Sequence, residues 1–226
     1  MARRDGLTRK ELLCLAAVSL LVAWPLLRGP LASPSRFVRL VGRGSGTYIR
    51  NNLILSCAHG KNIDNKVTIR MTNGMSRPGR VVWFSPSNDL SLVQTSRNPF
   101  VLPVTIADGS FPSQGTRVRL LGFGKGNELR NHEGVVIGTS RLPPVWGDGT
   151  VNLNLGKVVE LSAFAEKGDS GGAVLFDGQL VGVMVAISEE KNDDGLTAHT
   201  CICVPVETIR KVLAEWDEHE ARASGT

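Results

Sequence analysis

The stretch Glu166-Lys167-Gly168-Asp169-Ser170-Gly171-Gly172 gathers the residue types that nucleophilic catalysis requires. A serine lies between Gly-Asp and Gly-Gly. Gly168 is free to adopt backbone angles closed to other residues, which lets its N–H turn toward the point where Ser170 would attack. The amides of Gly168 and Ser170 could then converge on a developing oxyanion. The same residues would also serve as a polar turn between two strands. A serine hydroxyl is a weak nucleophile without a base, and the base needs a group that orients it. Two upstream stretches offer these. Leu53-Ile54-Leu55-Ser56-Cys57-Ala58-His59-Gly60 is an apolar strand ending in small residues and a histidine, and Ser87-Asn88-Asp89-Leu90-Ser91-Leu92-Val93 sets an aspartate just ahead of an alternating strand.

Taken in the order His59, Asp89, Ser170, the three segments resemble the trypsin/chymotrypsin superfamily of serine proteases. Ser-Cys-Ala-His is similar to that family's Thr-Ala-Ala-His, Asn-Asp-Leu-Ser-Leu to its Asp-Ile-Ala-Leu, and Gly-Asp-Ser-Gly-Gly is unchanged. The 30-residue gap between His59 and Asp89 resembles the compact bacterial branch typified by the high-temperature-requirement proteases. Gly44-Ser45-Gly46-Thr47-Tyr48-Ile49 resembles the strand leading toward the histidine. Val118-Arg119-Leu120-Leu121-Gly122-Phe123-Gly124 resembles the first strand of the second barrel, and Cys203-Val204-Pro205-Val206 with its following helix resembles the family's ending. The likeness covers residues 37–216.

This resemblance implies a serine endopeptidase acting on protein or peptide substrates, without a cofactor or metal. His59, Asp89 and Ser170 would be its triad, and the amides of Gly168 and Ser170 its oxyanion hole. The position six before the nucleophile, Phe164, would form the base of the pocket for the side chain preceding the cut. Val185, Ala186 and Ile187 would supply the wall, with Thr200, and beside it His199, opposite. An apolar base and a branched wall favour Val, Ala or Leu and disfavour Arg or Lys, whose unpaired charge is costly to bury. A weaker option is an acidic side chain held by His199 or Thr200. Digestive members pair the aspartate before the serine with a newly cut Ile-Val-Gly-Gly terminus. No such sequence occurs here, which leaves Asp169 without that partner and implies no zymogen step. The other classes of function are a catalytically silent protease-like binding module and a scaffold at the membrane.

Composition agrees with strands. Of 226 residues 25 are glycine and one is tyrosine, and short apolar runs are broken by Gly, Pro and Asn, the pattern of an all-β chain. The net charge of +5 does not indicate a nucleic-acid partner: residues 1–33 hold five basic and two acidic residues, the remainder carries only +2, and no basic patch is interleaved with aromatics. Within 1–33, Arg3, Arg4, Arg9 and Lys10 precede an apolar run over residues 12–27. This is the form of an export signal or an uncleaved signal anchor, and it implies an extracytoplasmic or membrane-anchored domain; the 16-residue run is short of the about 20 needed to span a bilayer. Oligomeric state is not legible. The family disulfide beside the histidine is absent. Cys201 and Cys203 lie two apart on one strand face, poorly placed to bridge each other. His199, Cys201 and Cys203 alternate, but with no fourth ligand core packing is the better reading than a metal corner.

The elements that must position the chemistry follow from the turns. Strands are expected over residues 37–41, 47–49, 53–56, 67–71, 80–84 and 90–94. Asn51-Asn52, Thr72-Asn73-Gly74 and Ser85-Pro86-Ser87-Asn88 separate them, a spacing suited to a small barrel. Residues 96–114, with Pro99, Pro103 and Pro112, form a crossing. Further strands are expected over 117–122, 133–140, 151–155, 158–161, 173–176, 179–186 and 197–204, with Asp177-Gly178 as a hairpin turn. Val206, Ile209, Val212, Leu213 and Trp216 mark one face of a closing helix, and the acidic run Glu189, Glu190, Asp193, Asp194 suits a solvated hairpin tip. Together with the resemblance this gives an all-β fold of two six-stranded antiparallel Greek-key barrels. The organisation is a segment at 1–33 and a protease domain at 34–226, with barrels over 36–106 and 113–206 and a helix over 206–221.

Overall fold

The computed structural model describes residues 34–59, 65–126, 128–141, 156–191 and 197–225. The segment at 1–33, the expected strand at 151–155 and the tip carrying Asp193 and Asp194 lie outside the described residues. Among those described, no helix is long and apolar enough to cross a membrane.

Alternation builds the first barrel. In Lys66–Met71 the side chains of Val67, Ile69 and Met71 are buried while Lys66 and Thr68 face water, the period-two pattern of a strand with one wet face. Six such strands, β1 (Phe37–Leu40), β2 (Gly44–Arg50), β3 (Leu53–Cys57), β4 (Lys66–Met71), β5 (Ser76–Ser85) and β6 (Leu90–Thr95), close in the order β1-β2-β3-β6-β5-β4. The pair Val38↔Met71 belongs to the β1–β4 seam that completes the ring. Inside lie Val38, Leu40, Tyr48, Ile54, Ile69 and Val93 with their neighbours.

The second barrel repeats this order six strands later. It comprises β7 (Arg117–Gly122), β8 (Arg130–Arg141), β9 (Lys157–Ser162), β10 (Ala173–Phe176), β11 (Gln179–Lys191) and β12 (Thr197–Pro205), with β7 and β10 closing the ring. Asp177 (φ 48°) and Gly178 (φ 77°) both adopt the left-handed region between β10 and β11, the backbone of a two-residue hairpin turn. Cys201 and Cys203 are fully buried among Leu120, Val159, Leu161, Val174 and Met184, and are free thiols. Packing claims both. Burial pushes the Cys201 thiol up to about 12 and the Cys203 thiol well above its ordinary value.

The crossing is stitched to both barrels. Val104 N–H donates to Tyr48 O at 2.8 Å, while Leu180 N–H donates to Thr105 O at 2.8 Å and Ala107 N–H to Leu180 O at 3.0 Å. Helix α1 (Val206–Ser224) buries the five apolar positions expected of it. It also reaches the first barrel: Trp216 meets Trp83 of β5 at 5.8 Å between ring centroids, and Asp217 receives two bonds from Arg50 of β2 at 2.7 and 2.8 Å.

Candidate active site

Register explains how His59 and Asp89 meet across 30 residues. Strands β3 and β6 pair with Cys57 opposite Leu90, so the residues just beyond that pair leave the sheet side by side. A short 3-10 turn, Pro86–Asn88, delivers Asp89 in the left-handed region at φ 49° and ψ 41°. Its carboxylate is fully buried. Oδ1 accepts the N–H groups of Ala58 at 2.9 Å and His59 at 2.8 Å, and Oδ2 lies 2.6 Å from His59 Nδ1. A buried carboxylate with three donors is satisfied as a charge. Nδ1 is thereby occupied, which leaves Nε2 as the nitrogen able to take up a proton. Burial works against a charged imidazole here, but the hydrogen bond His59 donates to Asp89, with the neighbouring Cys57 sulfur, outweighs it and holds His59 above its ordinary value of 6.5.

Ser170 stands just ahead of β10, in a loop held from both sides. Gly171 N–H donates to Met184 O at 2.7 Å and Met184 N–H to Gly172 O at 2.9 Å, which fastens the loop to β11. Ser45 of β2 fastens it to the first barrel. Its N–H donates to Ser170 O at 2.7 Å, its hydroxyl donates to Gly168 O at 2.7 Å and accepts from Phe123 N–H at 2.9 Å, and its carbonyl accepts the Ser56 hydroxyl at 2.7 Å. Gly168 has φ +103°, and a Cβ there would collide with the Gly124 carbonyl. Only glycine fits. The N–H groups of Asp169, Gly171 and Gly172 are all bonded inside the protein, whereas those of Gly168 and Ser170 have no such bond among the described residues.

Asp169 has a partner that sequence reasoning did not supply. It is 3% exposed. Its carboxylate accepts Gly124 N–H at 2.8 Å and Glu166 N–H at 2.9 Å, and pairs with Arg130 Nη2 at 3.0 Å. Arg130, at the start of β8, also pairs with Glu166 at 2.8 Å. The Lys125 amide, and after it Arg130, holds the Glu166 carboxyl below its ordinary range. An internal cation therefore partners Asp169. Ser45 and Arg130 escaped the sequence reading because neither belongs to a local pattern around the nucleophile; the small-residue run Gly44-Ser45-Gly46 was the only local trace.

His59, Gly168 and Ser170 line one cleft of about 460 Å³. Among the described residues no hydrogen bond joins the Ser170 hydroxyl to His59. The residues expected to hold the substrate side chain lie on adjacent elements. Val185 and Ala186 are buried on β11, at a bulge that follows Met184, and Ile187 is half-buried against the second barrel's core. Thr200 pairs with Ser188 on one side and Ser162 on the other. Phe164, 45% exposed, is met edge-on by His199 at 5.3 Å and His132 at 5.6 Å between ring centroids.

Three comparisons bear on this arrangement. Serine protease PepD of Mycobacterium tuberculosis is 24% identical over 155 residues, 66% of this chain and 33% of PepD, so the chain spans about a third of that relative's length. The active form of the Rv3671c protease of M. tuberculosis superposes with a TM-score of 0.68 at 23% identity, covering 84% of this chain and 85% of that one. The HtrA-type protease AlgW, solved with a decapeptide, gives a TM-score of 0.63 at 19% identity over 78% of this chain and 52% of that one. At these identities the solved structures speak to the fold. Residues 44–183, more than half the chain, match the trypsin-like peptidase domain, and the chain belongs to that family.

Proposed function

We propose that the chain is a serine endopeptidase that cleaves peptide bonds through His59, Asp89 and Ser170. The observation that carries this reading is the shared cleft: Ser170 and the Gly168 amide line the same cavity as an imidazole whose Nδ1 is fixed by a buried carboxylate. Ser170 Oγ would attack the scissile carbonyl as its proton passes to His59 Nε2. The imidazolium, stabilised by Asp89, would then protonate the departing amine, and water would release the acyl group by the same steps. The unbonded amides of Gly168 and Ser170 are free to receive the oxyanion, each donor being worth about 2.7–4 kcal/mol. The contact between Ser170 and His59 would close when substrate binds, since catalytic hydrogen bonds are often long in unliganded enzymes.

The side chain preceding the cut would rest on Phe164 and against Val185, Ala186, Ile187 and Thr200, giving a preference for Val, Ala or Leu. Residues 1–33 would carry the domain out of the cytoplasm, as the basic residues ahead of an apolar run suggest. A reporter active only after export, fused behind residue 36, tests that part, and a silent reporter refutes it.

The test of the enzyme is a fluorophosphonate probe with a positional peptide library. Wild-type protein should be labelled at Ser170 and should cleave after small or medium apolar residues. Ser170→Ala and His59→Ala should fold and lose nearly all hydrolysis. Wild-type rates in Ser170→Ala would refute the triad, and an unlabelled wild type would favour a silent binding module. Dominant cleavage after Arg or Lys would refute the apolar pocket.

A further inference from the structure

The cleft beside Ser170 has a charge that no motif announced. Its walls come from four separate parts of the chain: the end of β1 with the β1–β2 turn, His59 beyond β3, the loop after β7 and the nucleophile loop. Arg39 and Arg43 from the first, Lys125 from the third and Lys167 from the fourth bring cations to it. Among the described residues no carboxylate lines it. The acidic groups of the nucleophile loop, Glu166 and Asp169, are both turned to Arg130, at 2.8 and 3.0 Å, and Asp169 is buried. Arg39 is held toward this wall by donating from Nη1 to Gly126 O at 2.7 Å, next to Lys125. Lys125 and Lys167 are exposed.

The side of the nucleophile on which these cations lie fixes what they would meet. Phe164, Val185, Ala186, Ile187 and Thr200, assigned above to the side chain before the cut, do not line this cleft, whereas Ser170, His59 and the Gly168 amide do. A peptide bond presented to Ser170 has its acyl half on one side of the attacked carbon and its leaving half on the other. The leaving half therefore runs between the β1–β2 turn and Lys167. We propose that this cleft is a subsite for the residues that follow the scissile bond, and that Arg39, Arg43, Lys125 and Lys167 select acidic side chains there. The subsite rests on the endopeptidase reading and names its substrate class: peptides with Asp or Glu within the first few positions after the cut. Cations on facing walls, with Lys125 and Lys167 exposed, attract an acidic segment and disfavour a basic one.

Internally quenched peptides that share a Val before the cut and carry Glu-Asp, Gln-Asn or Lys-Lys after it test the subsite, with cut sites read by mass spectrometry. The acidic peptide should show kcat/KM about fivefold above the neutral one, the product expected of two exposed ion pairs, and the basic peptide should fall below both. The ratio should shrink toward one in 1 M NaCl, where charges are screened beyond about 3 Å, and in the double variant Lys125→Gln, Lys167→Gln. Fluorescence anisotropy of the same peptides on Ser170→Ala supplies a second readout that needs no hydrolysis. Equal cleavage and equal binding of the acidic and neutral peptides would overturn the subsite and leave the endopeptidase intact. Salt-sensitive selective binding with no cleavage by the wild type would overturn the endopeptidase and leave an acidic-peptide site. Failure of both readouts would remove both.

Discussion

Replacing Arg130 by Met isolates the internal ion pair that anchors the nucleophile loop. The Asp169 carboxylate is 5% exposed and the Arg130 guanidinium 27%. Removing the cation leaves a buried carboxylate with only two backbone donors, those of Gly124 and Glu166. Breaking a fully buried pair costs about 3–5 kcal/mol. The surviving amides and the partial access of water to Arg130 lower this, and about 2 kcal/mol is expected. For a domain of this size each kcal/mol moves the melting temperature by about 2–4 °C, so Arg130→Met should melt roughly 4–8 °C lower. Glu166 loses the same partner, so two of the seven residues from Glu166 to Gly172 lose an anchor. The Gly168 amide lies between them. If it drifts from the oxyanion position, kcat falls by about 100-fold, the loss seen on deleting one such donor. Arg130→Lys retains the charge but reaches only one carboxylate well, and should recover part of both effects.

Calorimetry and kcat/KM on a quenched peptide read the two effects, and a double-mutant cycle with Asp169→Asn assigns them to the pair. Partners in contact should couple by at least about 0.5 kcal/mol. An Arg130→Met protein that melts with the wild type, or losses in Arg130→Met and Asp169→Asn that simply add, would refute the argument that Arg130 acts through Asp169.

His59 gives a pH prediction. Its titration lies above 6.5 in the folded protein, so its pairing with Asp89 stabilises fully below pH 6.5 and is lost as pH rises toward about 10; melts of the wild type should fall toward those of His59→Gln over that window, and parallel curves would contradict the pairing. Since only the neutral imidazole accepts the serine proton, kcat/KM should climb across the same window, and a plateau reached below pH 6.5 would contradict it as well. The thiols give another: Cys57, Cys201 and Cys203 are buried and free, so reductant should leave the melting temperature unchanged and a thiol reagent should label them only after denaturation. Labelling of any of these three in the native protein, read by peptide mapping, or a fall in stability with reductant, would show otherwise.

What was legible in the sequence was local. The two-residue turn at Asp177-Gly178, the alternation of Val67, Ile69 and Met71, and the helical spacing from Val206 to Trp216 each reflect a physical period or a backbone demand met within a few residues. The strands at 117–122 and 173–176 appear with the expected bounds, while β5 and β11 run longer than expected, β5 because largely exposed residues continue the pairing with β4 and β11 because its pairing with β12 continues to Lys191. Features that arise only when distant segments meet could not be read. Arg130 is 39 residues from Asp169, and Ser45 is 123 from Gly168. The four cations of the cleft are spread from position 39 to position 167 and leave the overall charge unremarkable. Side-chain periodicity carries no information about such meetings, which depend on barrel closure and docking.

Ser45 ties the reactive groups to that docking. One small residue on β2 meets the nucleophile loop twice, through its N–H to Ser170 O and its hydroxyl to Gly168 O, and meets the second barrel's first strand end through Phe123 N–H. His59 and Asp89 belong to the first barrel, Ser170 and its loop to the second. In the proposed mechanism the distance between base and nucleophile is therefore set by the contact between barrels, and Ser45 is bonded at that contact to the carbonyls of Gly168 and Ser170. The contact is close on the other side too: the Ser45 carbonyl excludes any Cβ at Gly171. An alanine would keep the two backbone interactions and lose the hydroxyl, leaving the buried Phe123 amide without a partner at a cost of about 1–3 kcal/mol, and the part-buried Gly168 carbonyl without one at a smaller cost. The chain has no disulfide among its described cysteines to hold the barrels in register. The bonds of Ser45, with Arg39 to Gly126 O, cross between the barrels instead, and they make the proposed reactive geometry a property of the docked pair rather than of either barrel alone.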